Sequence, residues 1–362
     1  MSQERMAKEG TGLKAAVFAG PGNIQIKDIA QPQIGPQDVL LKVKAVGICG
    51  SDLHTYRSGL YAFPSQIMGH EFCAEVVEIG PAVTGIGLGQ RATGFSASFC
   101  GECYWCRHRQ FRLCPHLFET YTGYGRAGAM AEYVKIDNAV VGENLFVIPP
   151  TLSDEEGATA EPLGTALYAV ARTKPSGDDV AIVIGAGMIG NLIIQVLKTI
   201  PVKQIIASEV SASRSEWARS AGADVVINPR ETDDLLAAVQ SVTGIGLHHF
   251  GKGGMADIVY DTAGARETFN DSLGFVRSGG TVALVGLPER PSEVNVSRII
   301  LKDIRVMGVL GSMIPRGLEY LERHAVHTSH LVTHRFSLRD ADRAFKTLIE
   351  EPQAMRVMLF PD

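Results

Sequence analysis

The chain has 362 residues, 45% of them hydrophobic and 20% charged, a balance typical of a globular protein large enough for two domains. The formal net charge of −5 argues against a protein that binds nucleic acid or an anionic membrane through a basic surface. Residues 1–12 are polar and lack the apolar stretch of a signal peptide, so we expect a flexible tail and a cytoplasmic protein.

The part of the chain that follows this tail has the pattern of short β-strands. Apolar runs such as LKAAVF, DVLLKVKAVGI and FCAEVVEIG are separated by glycine and proline. A cysteine-rich segment follows, and after it AEYVKI and LFVIPP predict further strands. The sequence therefore predicts a β-rich first domain.

The pattern changes in the second half, where apolar strands alternate with helical segments. VAIVIGAG, MIGNLIIQVLKTI and QIIASEV follow one another, and this alternation predicts a doubly wound parallel sheet. The run 180–197 is long enough to resemble a membrane span, but Asn191, Gln195 and three glycines favour a buried strand followed by a buried helix. We predict a β-rich domain at 13–165 and 303–362, with a dinucleotide-binding Rossmann domain at 166–302.

A glycine motif opens the first helix of this second domain. Gly185, Gly187 and Gly190 form G-x-G-x-x-G directly after the strand VAIVI, which is the arrangement that brings backbone N–H groups to a pyrophosphate. Glu209 ends the next strand, where a carboxylate holds the adenosine ribose hydroxyls. It favours NAD over NADP because it would repel a 2′-phosphate, whereas Arg214 nearby is the contrary indication.

Four cysteines fall within a short segment of the first domain. Cys100, Cys103, Cys106 and Cys114 supply four thiolates, which saturate a tetrahedral Zn²⁺ and leave no open position. This spacing predicts a structural zinc site. A redox dithiol and an iron–sulfur cluster are the alternatives.

A second group of metal-ligand residue types is scattered along the chain. Cys49 lies in GICGSDLH, His70 and Glu71 lie in MGHEF, and Glu161 lies in AEPLGTALYA. Each residue alone is uninformative, but one thiolate, one imidazole and one carboxylate would suit a catalytic zinc that keeps room for a substrate oxygen.

These motifs, in this order, resemble the zinc-containing medium-chain dehydrogenase/reductase superfamily, in particular its sorbitol, threonine and butanediol dehydrogenase branch. The resemblance extends over almost the whole chain and includes GICGSDLH, GHE, the four cysteines, EPL, GAGMIG, SGGTVALVG and LVTHRFSL. It implies a GroES-like β-rich catalytic domain beside the Rossmann domain, and a zinc-dependent transfer of a hydride between an alcohol and NAD.

The resemblance also implies roles for the second group. Cys49 and His70 would be zinc ligands. Glu71 matches a position that ligates the metal directly in some relatives and only neighbours it in others, and relatives with a glutamate at the position of Glu161 often hold the metal through water. The sequence does not choose between these two glutamates. Asp52 matches a residue that hydrogen-bonds the ligand histidine.

Proton transfer and cofactor binding follow from the same resemblance. Ser51 and His54 match a relay that leads from the substrate hydroxyl through Ser51, a ribose hydroxyl and His54 to solvent. Five further residues match cofactor contacts: Ile189, Glu209, Arg214, Gly286 and Leu287. Cys73 matches no ligand position and is expected in the core.

One stretch departs from the sorbitol-type pattern and bears on the substrate. Where those enzymes carry an Arg-Tyr pair, this chain reads VLGSM at 309–313, a less polar segment that argues against a sugar polyol. The resemblance implies a secondary alcohol, diol or polyol as substrate, giving a ketone, and a homodimer or homotetramer. The alternative is a zinc-free quinone reductase or a non-catalytic NAD(P)H sensor, which typically lacks the Cys49, His70 and Glu161 set.

Overall fold

The computed structural model describes residues 12–63, 65–249 and 251–361, so nearly all of the predicted tail lies outside the described residues. The described chain divides into two compact units. The first contains the residues up to Glu161 together with those from Thr328 onward, and the second is Pro162–His327.

The first unit is built mainly from strands, as its alternating apolar pattern predicts. Its elements before the crossing into the second unit are β1 (Leu13–Gly20), β2 (Asn23–Ile29), β3 (Val39–Gly47), α1 (Gly50–Ser58), β4 (Glu71–Ile79), β5 (Arg91–Gly94), α2 (Tyr104–Arg107), a 3₁₀ turn (Phe111–Leu113), β6 (Tyr133–Ile136) and β7 (Leu145–Val147). The long helix α3 (Asp154–Thr173) begins in this unit and ends in the second.

The second unit alternates strands and helices. Its elements are β8 (Val180–Ile184), α4 (Met188–Lys198), β9 (Gln204–Ser208), α5 (Ala212–Ala221), β10 (Val225–Ile227), α6 (Leu235–Thr243), β11 (Gly246–His248), β12 (Gly251–Gly253), β13 (Ala256–Asp261), α7 (Thr268–Phe275), β14 (Val276–Leu284), α8 (Val296–Leu301), β15 (Arg305–Gly308) and α9 (Ile314–Glu322).

The chain then returns to the first unit and completes its sheet. The returning elements are a 3₁₀ turn (Ser329–Leu331), β16 (Val332–Ser337), a second 3₁₀ turn (Leu338–Asp340), α10 (Ala341–Glu350) and β17 (Arg356–Phe360). The resulting sheet has seven strands in the order β16-β17-β3-β4-β5-β7, with β6 also paired to β3. Strand β17 therefore brings the end of the chain beside β3, close to where β4 begins.

The sheet of the second unit has the order β10-β9-β8-β13-β14-β15, and every neighbouring pair is parallel. This order reverses between β8 and β13, the point where doubly wound sheets bind dinucleotides. All five residues of β8 are buried, as expected for a central parallel strand covered on both faces. The run 180–197 is therefore a buried strand and helix, and none of the described helices is long and apolar enough to cross a membrane.

The observed units confirm the predicted fold class, but both boundaries differ: the N-terminal segment of the first unit ends at Glu161 and not at 165, and the larger difference lies at the second boundary. We assigned residues 303–362 to the first domain, whereas the second unit extends to His327. The reason is β15, which pairs with β14 as the edge strand of the parallel sheet. This strand is only four residues long, too short for the alternating pattern to reveal it.

Candidate active site

The candidate catalytic residues are grouped where α1 and β4 begin. Cys49 is the N-cap residue of α1, His70 directly precedes β4, and Glu71 is its first residue. One possible ligand atom from each of these three residues lies within 4.8 Å of the others. The sequence separates Cys49 from His70 by a loop and a helix, so the fold creates this cluster.

The charges around Cys49 favour a bound cation. Burial, followed by the negative charges of Glu71 and Asp52, raises the pKa of the Cys49 thiol well above its ordinary value, and Glu161 adds to this effect. A site with this surplus of acidic groups is stabilised by a divalent metal, which lowers the pKa of a ligating thiol. The donor set of sulfur, imidazole and carboxylate therefore fits zinc.

His70 is held in the same negative surroundings. Burial opposes its charged form, but the carboxylates of Asp52, Glu161 and Glu71 raise its pKa overall. Its buried Nδ1 atom makes no hydrogen bond within the described part of the chain. An imidazole nitrogen left without a bond in an acidic pocket fits a metal ligand.

Asp52 does not make the hydrogen bond that the resemblance implies. Its Oδ1 lies 3.9 Å from Nδ1 of His70, which is an ion-pair distance and too long for a hydrogen bond. Its Oδ2 instead accepts a bond of 3.0 Å from the backbone N–H of Cys49. As the third residue of α1, Asp52 caps the helix that presents Cys49.

Glu71 has a partner that the sequence did not reveal. Arg356, the first residue of β17, donates from Nη1 to Oε2 of Glu71 at 2.5 Å, and both side chains are buried. Burial alone would raise the pKa of Glu71, but the Arg356 charge, and then that of His70, lowers it overall. Nη2 of Arg356 also bonds the carbonyl oxygen of Ala158 on α3, the helix that carries Glu161.

Ser51 and His54 both lie on α1, two and five residues after Cys49. The Ser51 hydroxyl hydrogen-bonds the Cys49 side chain and partly offsets the rise of its pKa. Ser51 also accepts a bond of 2.9 Å from the hydroxyl of Tyr124, a second residue that lies in none of the motifs and that sequence reasoning missed.

The four clustered cysteines lie together around α2. Sγ of Cys100 is 3.9 Å from Sγ of Cys106 and 3.7 Å from Sγ of Cys114. Bonds of about 2.3 Å to a tetrahedral zinc would place two sulfurs about 3.8 Å apart. All four sulfurs lie within 4.8 Å of one another, so their arrangement fits one zinc ion.

The glycine motif of the second unit has the geometry of a phosphate-binding loop. Gly185 has a φ of +84°, which favours glycine, and a Cβ on Gly190 would lie 1.9 Å from the carbonyl oxygen of Gly185. A Cβ on Gly187, the N-cap residue of α4, would meet nothing within 4 Å. The motif therefore packs tightly at two positions and stays open at the one where a phosphate approaches, which fits a dinucleotide.

Glu209 contacts this loop directly. It follows β9, and its Oε2 accepts from the N–H of Ala186 at 2.7 Å while its Oε1 accepts from the N–H of Ser211 at 2.8 Å. Gly286 follows β14 and bonds the carbonyl oxygen of Asp261 at the end of β13. The remaining predicted cofactor residues are Ile189 in α4, Arg214 in α5 and the exposed Leu287.

Comparison with known proteins agrees with both units. Residues 35–145 match the alcohol dehydrogenase GroES-like domain, and residues 189–324 match the zinc-binding dehydrogenase family. Sorbitol dehydrogenase of Bacillus subtilis (strain 168) is 33% identical over 97% of this chain and 98% of its own length. The chain belongs to the zinc-containing medium-chain dehydrogenase/reductase superfamily. This dehydrogenase is accordingly an oxidoreductase acting on CH–OH groups.

Two further relatives are similar to the dehydrogenase over almost its full length. (R,R)-butanediol dehydrogenase of Bacillus subtilis (strain 168) is 30% identical, with 97% of this chain and all of that protein covered. A Sinorhizobium meliloti 1021 protein solved bound to NADP is 30% identical with a TM-score of 0.84, over 97% of this chain and 100% of its own. One of these relatives binds a nicotinamide cofactor, and the family that matches residues 189–324 is a zinc-binding one.

Proposed function

We propose that this dehydrogenase oxidises a secondary alcohol or diol to a ketone, with NAD as the hydride acceptor and one catalytic zinc. The observation that carries the proposal is the buried cluster of Cys49, His70 and Glu71, whose possible ligand atoms lie within 4.8 Å of one another. A zinc-free reductase or an NAD(P)H sensor has no use for such a cluster.

Within this cluster Cys49 and His70 would hold the zinc ion, and a glutamate would complete the set. Glu71 is close enough to ligate, although one of its oxygens bonds Arg356. Glu161 raises the pKa of both Cys49 and His70 by its charge, so it too acts on the site electrostatically. Both glutamates stay candidates for the third protein ligand.

When bound, zinc polarises the alcohol oxygen and NAD accepts the hydride. The chain itself must then remove the alcohol proton. Ser51 would receive it at Oγ while passing its own proton to a ribose hydroxyl of the cofactor, and His54 on the same helix would pass a proton from that ribose hydroxyl to solvent. One proton and one hydride leave the alcohol in total, so the reaction balances.

The choice of NAD rests on Glu209. Its carboxylate is fixed beside the glycine loop by two backbone N–H groups, where it would face the adenosine ribose. Arg214 and the relative solved with NADP favour the phosphorylated cofactor. We expect the fixed carboxylate to prevail because a 2′-phosphate beside it would be repelled.

The four-cysteine cluster would hold a second, structural zinc. Its sulfurs have the spacing of a tetrahedral site with no position left for substrate. We therefore expect two zinc ions per chain. The homodimer or homotetramer expected from the resemblance is a further part of the proposal, which sedimentation of the purified protein tests.

The substrate class follows from the relatives and from the segment 309–313. One relative is a sorbitol dehydrogenase and another a butanediol dehydrogenase. Three of the five residues in this segment, Val309, Leu310 and Met313, have apolar side chains, Leu310 is exposed, and Ser312 carries its one hydroxyl. We therefore expect 2,3-butanediol to be a better substrate than sorbitol.

The test combines a metal count with a substrate panel. Zinc per chain is measured by elemental analysis, and NADH or NADPH formation is followed with 2,3-butanediol, sorbitol, L-threonine and cyclohexanol. Two zinc ions and NAD-dependent oxidation of a secondary alcohol support the proposal. Fewer than two zinc ions together with reduction of quinones would support the zinc-free alternative.

A further inference from the structure

Tyr124 touches the proposed proton relay although it lies outside every motif of the family resemblance. It is found in the segment TYTGYGRAG, between the four-cysteine cluster and β6. Its hydroxyl donates a hydrogen bond of 2.9 Å to Oγ of Ser51, 73 residues earlier in the chain. The fold therefore brings a phenol to the first group of the relay.

The ring of Tyr124 is fixed by other aromatic rings. Its centroid lies 5.6 Å from that of His70, 5.0 Å from that of Phe118 and 6.1 Å from that of Tyr121. Rings at these separations contact one another and limit motion of the side chain. These contacts hold the phenol beside Ser51, and its ring lies against that of the candidate metal ligand His70.

The hydrogen bond restricts what Ser51 can do. A serine hydroxyl has one proton and two lone pairs and otherwise rotates freely. The Tyr124 proton occupies one lone pair, which leaves one lone pair to receive a proton, and the O–H that now bonds the Cys49 side chain is the one that Ser51 would release. In this bond the Tyr124 hydroxyl is the donor and Oγ of Ser51 is the acceptor.

We propose that Tyr124 is a positioning residue that orients the Ser51 hydroxyl for proton transfer from the alcohol. This inference rests on the proposed function, in which Ser51 receives the alcohol proton and passes its own proton onward. Tyr124 itself neither gains nor loses a proton in the reaction. Its contribution is to keep Ser51 in the one rotamer from which the transfer can occur.

The first test is structural and needs no substrate. Tyr124→Phe removes the hydroxyl and keeps the ring against His70 and Phe118. Crystal structures of the wild type and the variant, each with its zinc content measured, should show one Ser51 rotamer in the wild type and several in the variant. A single unchanged Ser51 rotamer in the variant would overturn the inference.

The second test is a kinetic cycle with 2,3-butanediol and NAD. Loss of a neutral hydrogen bond should lower kcat of Tyr124→Phe about threefold to tenfold while the KM for NAD stays unchanged. In a Ser51→Ala background the same substitution should have no further effect, since the group that Tyr124 orients is gone. Tyr133→Phe, which removes a phenol hydroxyl from β6 of the same unit, is the matched control.

The outcomes separate this inference from the proposed function. If Ser51→Ala loses activity and Tyr124→Phe matches the wild type, the relay stands and the role of Tyr124 is wrong. The role is equally wrong if Tyr124→Phe is slower by the same factor with and without Ser51. Unchanged activity in Ser51→Ala contradicts the relay itself, and with it the positioning role of Tyr124.

Discussion

Arg356 and Glu71 form a buried ion pair across strand β3, with 2.5 Å between Nη1 and Oε2 and with 2% and 3% of their side chains exposed. Gly47, the last residue of β3, pairs with Glu71 in the sheet. A Cβ at this glycine would lie 2.3 Å from Nη2 of Arg356, so glycine makes room for the guanidinium. Arg356 also bonds Ala158 on α3 and thereby joins the elements that carry both candidate glutamates.

Breaking this pair from one side should destabilise the protein strongly. Arg356→Met leaves the Glu71 carboxylate buried without its cation, and we expect a loss of about 3–5 kcal/mol in the free energy of unfolding. Urea denaturation of wild type and variant measures it. The matched control is Arg335→Met, which breaks a pair with Glu155 whose arginine is half exposed and should cost about 1 kcal/mol or less. Equal losses in both variants would contradict the special role of the buried pair.

Cys49→Ser tests the catalytic site. The substitution replaces a thiolate that would neutralise zinc with a hydroxyl that ligates it poorly, so activity should fall by several orders of magnitude, on the order of a thousandfold or more. The fold should persist because Cys49 caps α1 with the backbone bond to Asp52, which serine retains. Activity and far-UV circular dichroism are the measurements, and turnover near that of the wild type would remove Cys49 from the site.

The four-cysteine cluster should respond differently. Cys103→Ser removes one of four sulfurs, so we expect loss of one zinc ion and a melting temperature lower by several degrees, with activity falling only as the fold loosens. Cys73→Ala is the matched control, because this buried thiol bonds Asp154 and lies in neither metal cluster. The structural assignment fails if Cys103→Ser keeps both metals and its melting temperature.

The sequence predicted the parts of the site that depend on residue type and spacing. Four cysteines in a short segment and three glycines after a buried strand are each recognisable locally, and the structure brings the cysteine sulfurs together and leaves Gly187 open. Cys49 and His70 were recognisable by resemblance, because each lies within a motif of its own.

The partners of these residues were not predictable in the same way. Arg356 and Tyr124 lie 285 and 73 residues from the groups that they bond, and only the pairing of β17 with β3 and the path of a loop bring them there. The one available signal for Arg356 was a charged residue opening the apolar strand RVMLF. The sequence-based prediction ended the second domain at residue 302, earlier than the observed His327, for a related reason. Strand β15 is an edge strand with only half-buried and exposed residues, so it lacks the apolar pattern of the other parallel strands.

Lys302 gives a prediction for pH dependence. Its buried ammonium group donates to the carbonyl oxygens of Leu273, at 2.7 Å, and Val276, at the end of α7. Burial, followed by the charge of Arg298, lowers the pKa of Lys302 to about 8 from an ordinary value of 10.5. Between about pH 8 and pH 10.5 the side chain of Lys302 is therefore more fully protonated in the unfolded chain than in the folded one. The contribution of Lys302 to the free energy of unfolding consequently rises with pH over this range.

Lys302→Met removes both the hydrogen-bond donor to the two carbonyl groups and the group that titrates. At about pH 7 the variant should be less stable by about 1–3 kcal/mol, because buried carbonyl groups lose their donor. From about pH 8 to pH 9 the difference from wild type should widen by on the order of 1 kcal/mol. Urea denaturation at these pH values measures both quantities. A difference that stays constant or shrinks over this range would show that Lys302 does not titrate there.

Glu209 decides the choice of cofactor in our proposal. It should accept hydrogen bonds from the adenosine ribose of NAD, each charge-assisted bond contributing about 1.5–3 kcal/mol, and it should repel the 2′-phosphate of NADP. Since 1.4 kcal/mol corresponds to about tenfold, the wild type should prefer NAD roughly a hundredfold in kcat/KM. Glu209→Ala should erase much of this preference, because Arg214 can then meet the phosphate.

Glu209 also accepts a hydrogen bond of 2.7 Å from the N–H of Ala186, so the variant should bind both cofactors more weakly. The measurement that decides is therefore the ratio of kcat/KM with NAD to that with NADP. Glu209→Gln keeps an acceptor oxygen without the charge and should give an intermediate ratio. A wild type that prefers NADP, or a ratio that does not change in Glu209→Ala, would show that the carboxylate does not select the cofactor.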